Sequence, residues 1–110
     1  MRSPSSTATV ATDRAARYGK QLVSHLGRRV TAEWDEQTGT GWIDFEESRA
    51  ELSAGPEALD IRLSAEPDAL ARMEDVVGRH LVRFGARDEL TVQWVRADGT
   101  RGTRQENAGE

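Results

Sequence analysis

Residues 58–95 read ALDIRLSAEPDALARMEDVVGRHLVRFGARDELTVQWV, and three periodicities follow one another along them. From Ala58 to Ser64 apolar and polar side chains alternate, with Leu59, Ile61 and Leu63 on one face and Asp60, Arg62 and Ser64 on the other, as in a half-buried strand. Pro67 suits the first turn of a helix, where its missing N–H costs little. That helix runs to about Phe84, with Leu70, Met73, Val77, Leu81 and Phe84 as its buried stripe and Gly85 as its stop. Leu90 to Val95 returns to alternation, with Leu90, Val92 and Trp94 inward. Each element has one apolar face, and such elements bury it by stacking a one-sided sheet under one-sided helices.

The first half of the chain reads the same way. Thr7 to Thr12 is expected as a strand with Ala8 and Val10 on one side. Thr12 or Asp13 can cap a helix reaching Leu26, whose apolar positions are Ala15, Tyr18, Leu22 and Leu26. Gly27 fits a left-handed residue past its end. Three strands follow at Val30–Trp34, Gly41–Phe45 and Arg49–Ser53, divided by turns at 35–40 and at Glu46-Glu47, with Ala54-Gly55-Pro56-Glu57 leading into the strand from Ala58. The expected fold is α+β, a two-layer sandwich of a mostly antiparallel sheet with two helices on one face, in the order β-α-β-β-β-β-α-β. Residues 7–96 form one domain in this reading. Residues 1–6 and 97–110 show no periodicity and are expected to be disordered. A short echo links His25-Leu26 and Val30–Trp34 with His80-Leu81 and Leu90–Trp94, which raises the question of two similar halves.

The length of 110 residues suits a single core. A net charge of -4 argues against a nucleic-acid partner, which calls for a basic excess. The absence of cysteine excludes disulfides, thiolate metal sites and cysteine nucleophiles. No stretch approaches the roughly twenty apolar residues of a membrane span, and Met1 to Ser6 lacks a signal-peptide core, so the expectation is a cytoplasmic protein with no membrane partner. There is no phosphate-cradling glycine loop and no nucleophile-elbow serine. No catalytic residue, no cofactor and no metal site is therefore assigned.

Four residues stand out as candidates. His25 and His80 lie on or beside the buried stripes of their helices, so two adjacent helices could bring the imidazoles together as a ligand-binding, proton-transfer or metal pair. A half-buried histidine bonded to a backbone carbonyl is the commoner outcome of such a position. Arg83 joins them as a ligand-binding candidate. It belongs to a basic run with Arg79 and Arg87, whose plain reading is favourable placement of cations at a helix C-terminus. Trp42 has the opposite parity to Ile43 and Phe45 and should therefore point to the helix-free face, where an exposed tryptophan is a frequent interface anchor. A homodimer, or another partner, is expected on that face, the alternative being a Trp42 covered by a loop or the C-terminal tail. Asp44, Glu46, Glu47 and Glu51 form an acidic stretch that reads as a solvated turn.

The chain also resembles a bacterial family known as domain of unknown function 2218. The carriers are Ala11-Thr12-Asp13 with Arg17-Tyr18, Gln21-Leu22 with His25-Leu26, Trp34, Gly41 to Phe45 and Leu52. The most specific stretch is Glu74 to Phe84 leading into Leu90–Trp94. Relatives often carry small residues where this chain has Glu46-Glu47. The resemblance implies no established activity. It does imply an association with bacterial siderophore and iron metabolism, because similar domains are found joined to siderophore-interacting modules. The expected function is a non-enzymatic binding or accessory domain, with a protein or small-molecule partner in iron–siderophore handling. The alternative is a small enzyme or metal-binding protein using His25 and His80.

Overall fold

The computed structural model describes residues 5–46, 48–85 and 89–106. Glu47 and Arg87, each part of a charged run in the sequence, lie outside the described residues, as do 1–4 and 107–110. The elements are β1 (Ser5–Ala11), α1 (Ala15–Leu26), β2 (Thr31–Asp35), β3 (Thr40–Asp44), β4 (Ser48–Ala54), β5 (Ala58–Ala65), α2 (Leu70–Phe84), β6 (Thr91–Arg96) and β7 (Arg101–Glu106). The first eight follow the expected order. The seven strands form one antiparallel sheet, ordered β2-β3-β4-β5-β1-β6-β7. Among the described residues no helix is long and apolar enough to cross a membrane.

Alternation places the core. Val10, Ile43, Ala50, Leu59, Leu63 and Val92 are fully buried, and Ala8, Leu52 and Ile61 nearly so, all on one face of the sheet. Leu22 of α1 and Val77 and Leu81 of α2 meet that face. The other face carries Thr7, Thr9, Glu33, Glu51, Asp60 and Arg62, all exposed, so both helices lie on one side. Trp34 on the edge strand β2 reaches the core by sliding its ring between Gly19 of α1 and Gly41 of β3. A Cβ there would come within 2.7 Å and 2.6 Å of the indole.

Several local expectations change. The chain ends of the two helices are not left-handed: Gly27 has φ -66 and Gly85 has φ -96. Glycine is needed at both for close approach, since a Cβ on Gly27 would crowd Val23 O and one on Gly85 would run into Leu90. The turn between β3 and β4, closed by Phe45 N–H donating to Ser48 O at 2.8 Å, instead places Glu46 at φ +75, a conformation that disfavours glutamate. Neither Thr12 nor Asp13 is the cap of α1: the N-cap is Arg14, with no side-chain cap bond, and the Thr12 hydroxyl accepts the Arg14 N–H at 3.0 Å in the turn before the helix. The sequence echo does not mark equivalent positions, because β2 is a sheet edge whereas β6 lies between β1 and β7.

The tail corrects the sequence reading most. Ser5 and Ser6 already belong to β1, and Arg101–Glu106 forms the edge strand β7 against β6, where disorder is expected from composition. Thr100 N–H and hydroxyl both bond the Asp98 carboxylate, at 2.9 Å and 2.6 Å, and Gly99 takes φ +89, which closes the hairpin. The inward residues of β7 are polar because their partners are polar. Gln105 accepts the buried Trp94 indole N–H at 2.7 Å, and Thr103 donates its N–H and hydroxyl to Glu74, both at 2.9 Å. Gly78 of α2 makes room for Gln105, whose side chain occupies the place a Cβ would take. Helix propensity alone would have Gly78→Ala stabilise the fold by about 1 kcal/mol. Displacing Gln105 leaves an indole donor buried without a partner, at about 1–3 kcal/mol. The expected outcome is a net loss of about 1 kcal/mol in urea denaturation. A stabilised variant would show that Gln105 is dispensable to Trp94.

Candidate functional site

Three features compete for a functional role: the open face of the sheet, the paired histidines, and a buried carboxylate.

The helix-free face curves into a groove of about 670 Å³, floored by β3, β4 and β5 and flanked by β1 and β2. Register fixes which side chains meet there. Thr7 pairs with Arg62, Arg62 with Glu51, Glu51 with Trp42 and Trp42 with Glu33, so these five form one row across the sheet. A second row holds Thr9, Asp60, Ser53, Thr40 and Asp35. Trp42 thus lies on the helix-free face, half-buried, because the Arg49 guanidinium stacks over its ring at 4.7 Å. Arg49 also approaches Glu51 at 3.8 Å. Asp60 accepts the Thr9 hydroxyl at 2.9 Å. The volume falls within the range of small-molecule sites, and the lining sets one aromatic ring, Trp42, among mostly polar and charged side chains.

On the opposite side of the molecule the helices do bring His25 and His80 together, with ring centroids 5.2 Å apart and planes tilted by 43°. Phe84 meets His25 edge-on at 5.3 Å. His80 is half-buried and its Nδ1 lies 2.7 Å from Val76 O. A carbonyl only accepts, so Nδ1 is the donor of this bond. This is the carbonyl-bonded arrangement the sequence reading weighed as the commoner one. His25 is exposed and opens on a hollow of about 400 Å³ that also takes in Arg17, Lys20, Arg28 and Phe84. Lys20 is engaged with Glu36 at 2.6 Å. Arg83 is exposed on α2 and does not line this hollow. Among the described residues no group of three or more histidine or acidic side chains is arranged to hold a metal.

Glu74, which sequence reasoning passed over, is fully buried in α2. Three residues donate to it: the Ser6 hydroxyl to Oε2, Arg96 from Nε and Nη2 at 3.2 Å each, and Thr103 from its N–H and hydroxyl to Oε1, while Gly102 packs against it. Burial is the strongest influence on this carboxyl and by itself would raise it. The bonds from Arg96, Ser6 and Thr103 together outweigh burial and hold it below the ordinary carboxylate range. The same pairing raises the Arg96 guanidinium. With every lone pair facing a donor and no solvent access, Glu74 fastens β1, β6 and β7 to α2 and is not placed to act on a substrate. Its sequence signal is a row at spacing four, Leu70, Glu74, Gly78 and Val82, beside the apolar stripe.

The fold and the groove define a small two-layer α+β domain with one open sheet face. The chain belongs to a family described as an uncharacterised protein conserved in bacteria (DUF2218), which it matches over residues 7–95. It is also similar to PA4090 from Pseudomonas aeruginosa, solved by NMR, with 37% identity over 82% of this chain and 93% of that one and a TM-score of 0.66. None of the curated proteins matches the chain.

Proposed function

We propose that this domain is a non-enzymatic binding module, and that the concave sheet face around Trp42 is its binding surface. The observation that carries this reading is the groove of about 670 Å³ on the only sheet face the helices leave open among the described residues. The link to bacterial siderophore and iron metabolism, which the family resemblance implies, belongs to the same proposal, as does a cytoplasmic location. Glu33, Asp35, Glu51 and Asp60 against Arg62 make the groove acidic, which favours a neutral or cationic molecule over a polyanionic chelate. A homodimer across the same face is the competing occupant. It would bring two acidic grooves together, which like-charge repulsion opposes.

The test is a titration of the isotope-labelled protein with mixtures of small bacterial metabolites, followed by amide shifts. Shifts are expected on β3, β4 and β5, and Trp42→Ala should weaken them at least about tenfold, since burying an aromatic ring commonly contributes more than 1.4 kcal/mol. Concentration-dependent sedimentation of the wild type, abolished in Trp42→Glu, would point to the dimer instead. The proximity of His25 and His80 favours a second reading, a small enzyme or metal protein. Zinc titration by calorimetry decides it: heat that disappears in the His25→Ala/His80→Ala double variant would support that reading and displace the groove.

A further inference from the structure

Arg62 on β5 and Glu33 on β2 stand three strands apart in the same cross-strand row, roughly 14 Å between backbones at the usual spacing of sheets. Both line the groove, both are exposed, and neither has a hydrogen bond or ion pair among the described residues. The other charges of the groove are engaged. Glu51 faces Arg49, Asp60 is bonded by Thr9, and Asp35 accepts the Gln37 and Thr38 N–H groups at 2.9 Å and 3.4 Å. What remains open is one guanidinium and one carboxylate, with the Trp42 ring and Glu51, which faces Arg49, between them in the row.

Building on the binding-module reading, we infer that the groove takes a small dipolar molecule, with a carboxylate at one end, an ammonium at the other and an apolar body across Trp42. Chemically this is a short peptide with free termini. The guanidinium of Arg62 presents a planar fork that a carboxylate meets with two parallel bonds. Glu33 takes the ammonium, and the indole covers the side chain between. A tripeptide spans about 10 Å when extended, which matches the gap once both side chains lean inward from their strands. The remaining acidic groups turn away phosphorylated molecules and nucleic acid.

The experiment is a titration of labelled protein with the peptide Ala-Phe-Ala, alongside its N-acetylated and its C-amidated forms. The free peptide is expected to shift the Trp42 and Arg62 signals at millimolar concentration. Each blocked form should bind about tenfold more weakly, the loss of one charge-assisted bond. Arg62→Gln should bind the free and amidated forms alike, and Glu33→Gln the free and acetylated forms alike. Both residues are exposed on the sheet surface, so either variant should fold. Equal shifts from all three forms would overturn the dipolar ligand while leaving the groove as a binding surface. No shift from any form would also overturn it, and the metabolite titration with Trp42→Ala then decides the binding-module reading on its own.

Discussion

Replacing Glu74 by glutamine is expected to lower the unfolding free energy by about 3 kcal/mol at neutral pH, within the range for breaking a buried ion pair. All the groups around this carboxylate donate: the Ser6 hydroxyl, the Arg96 guanidinium, and the N–H and hydroxyl of Thr103. An amide keeps one acceptor and turns an NH₂ toward donors, so at least one pair must separate inside a site without water. Arg96 is partly exposed and can seek solvent, but Ser6 is buried. The effect is tied to pH. The native Glu74 carboxyl is held below its unfolded value of about 4.3. Its contribution is therefore fully present above that value and is lost as pH falls through the lower native one. Wild type and Glu74→Gln should differ most at pH 7 and converge in acid. Urea denaturation at pH 7 and pH 3 measures this. A loss below 1 kcal/mol at pH 7, or a gap that does not narrow in acid, would show that the network adds little to stability.

The fold was legible where burial is apolar. Leu59, Ile61 and Leu63 announce a strand by alternation alone, and Val77 and Leu81 announce the inner face of α2. The outward direction of Trp42 follows from the parity of Ile43 in the same way. Hydrophobic periodicity is blind where the core is polar, and this explains both Glu74 and β7. The inward residues of β7 are a threonine and a glutamine because they face a carboxylate and an indole N–H, so the strand carries no apolar alternation. The turn before it, Asp98-Gly99, did carry a hairpin signal of the kind glycine and aspartate give. The groove was legible only as a list of outward side chains. Which of them remain unpaired depends on long-range register and on the stacking of Arg49, neither of which local spacing encodes.

Removing residues 98–110 is expected to cost the domain its cooperative fold, a loss of about 5 kcal/mol or more against the usual 5–15 kcal/mol of such domains. The family match ends at residue 95, before β7 begins, so similarity alone would draw the domain boundary inside the sheet. Physical accounting draws it later. Without β7 the Trp94 indole N–H loses Gln105 and Glu74 loses both Thr103 bonds. The α2 surface around Gly78, shaped to receive Gln105, opens to water. The backbone of β6 becomes a bare edge as well. An indole donor stripped of its partner and a carboxylate stripped of two of its donors, at about 1–3 kcal/mol each, together with the lost packing, exceed what a domain this small can spare. Near-ultraviolet circular dichroism and amide dispersion of the 1–97 chain should show loss of fixed tertiary structure at 25 °C. A truncated protein that unfolds cooperatively within about 1 kcal/mol of the full chain would mean that water replaces β7 on Glu74 and Trp94 without penalty, contrary to the desolvation cost argued for both.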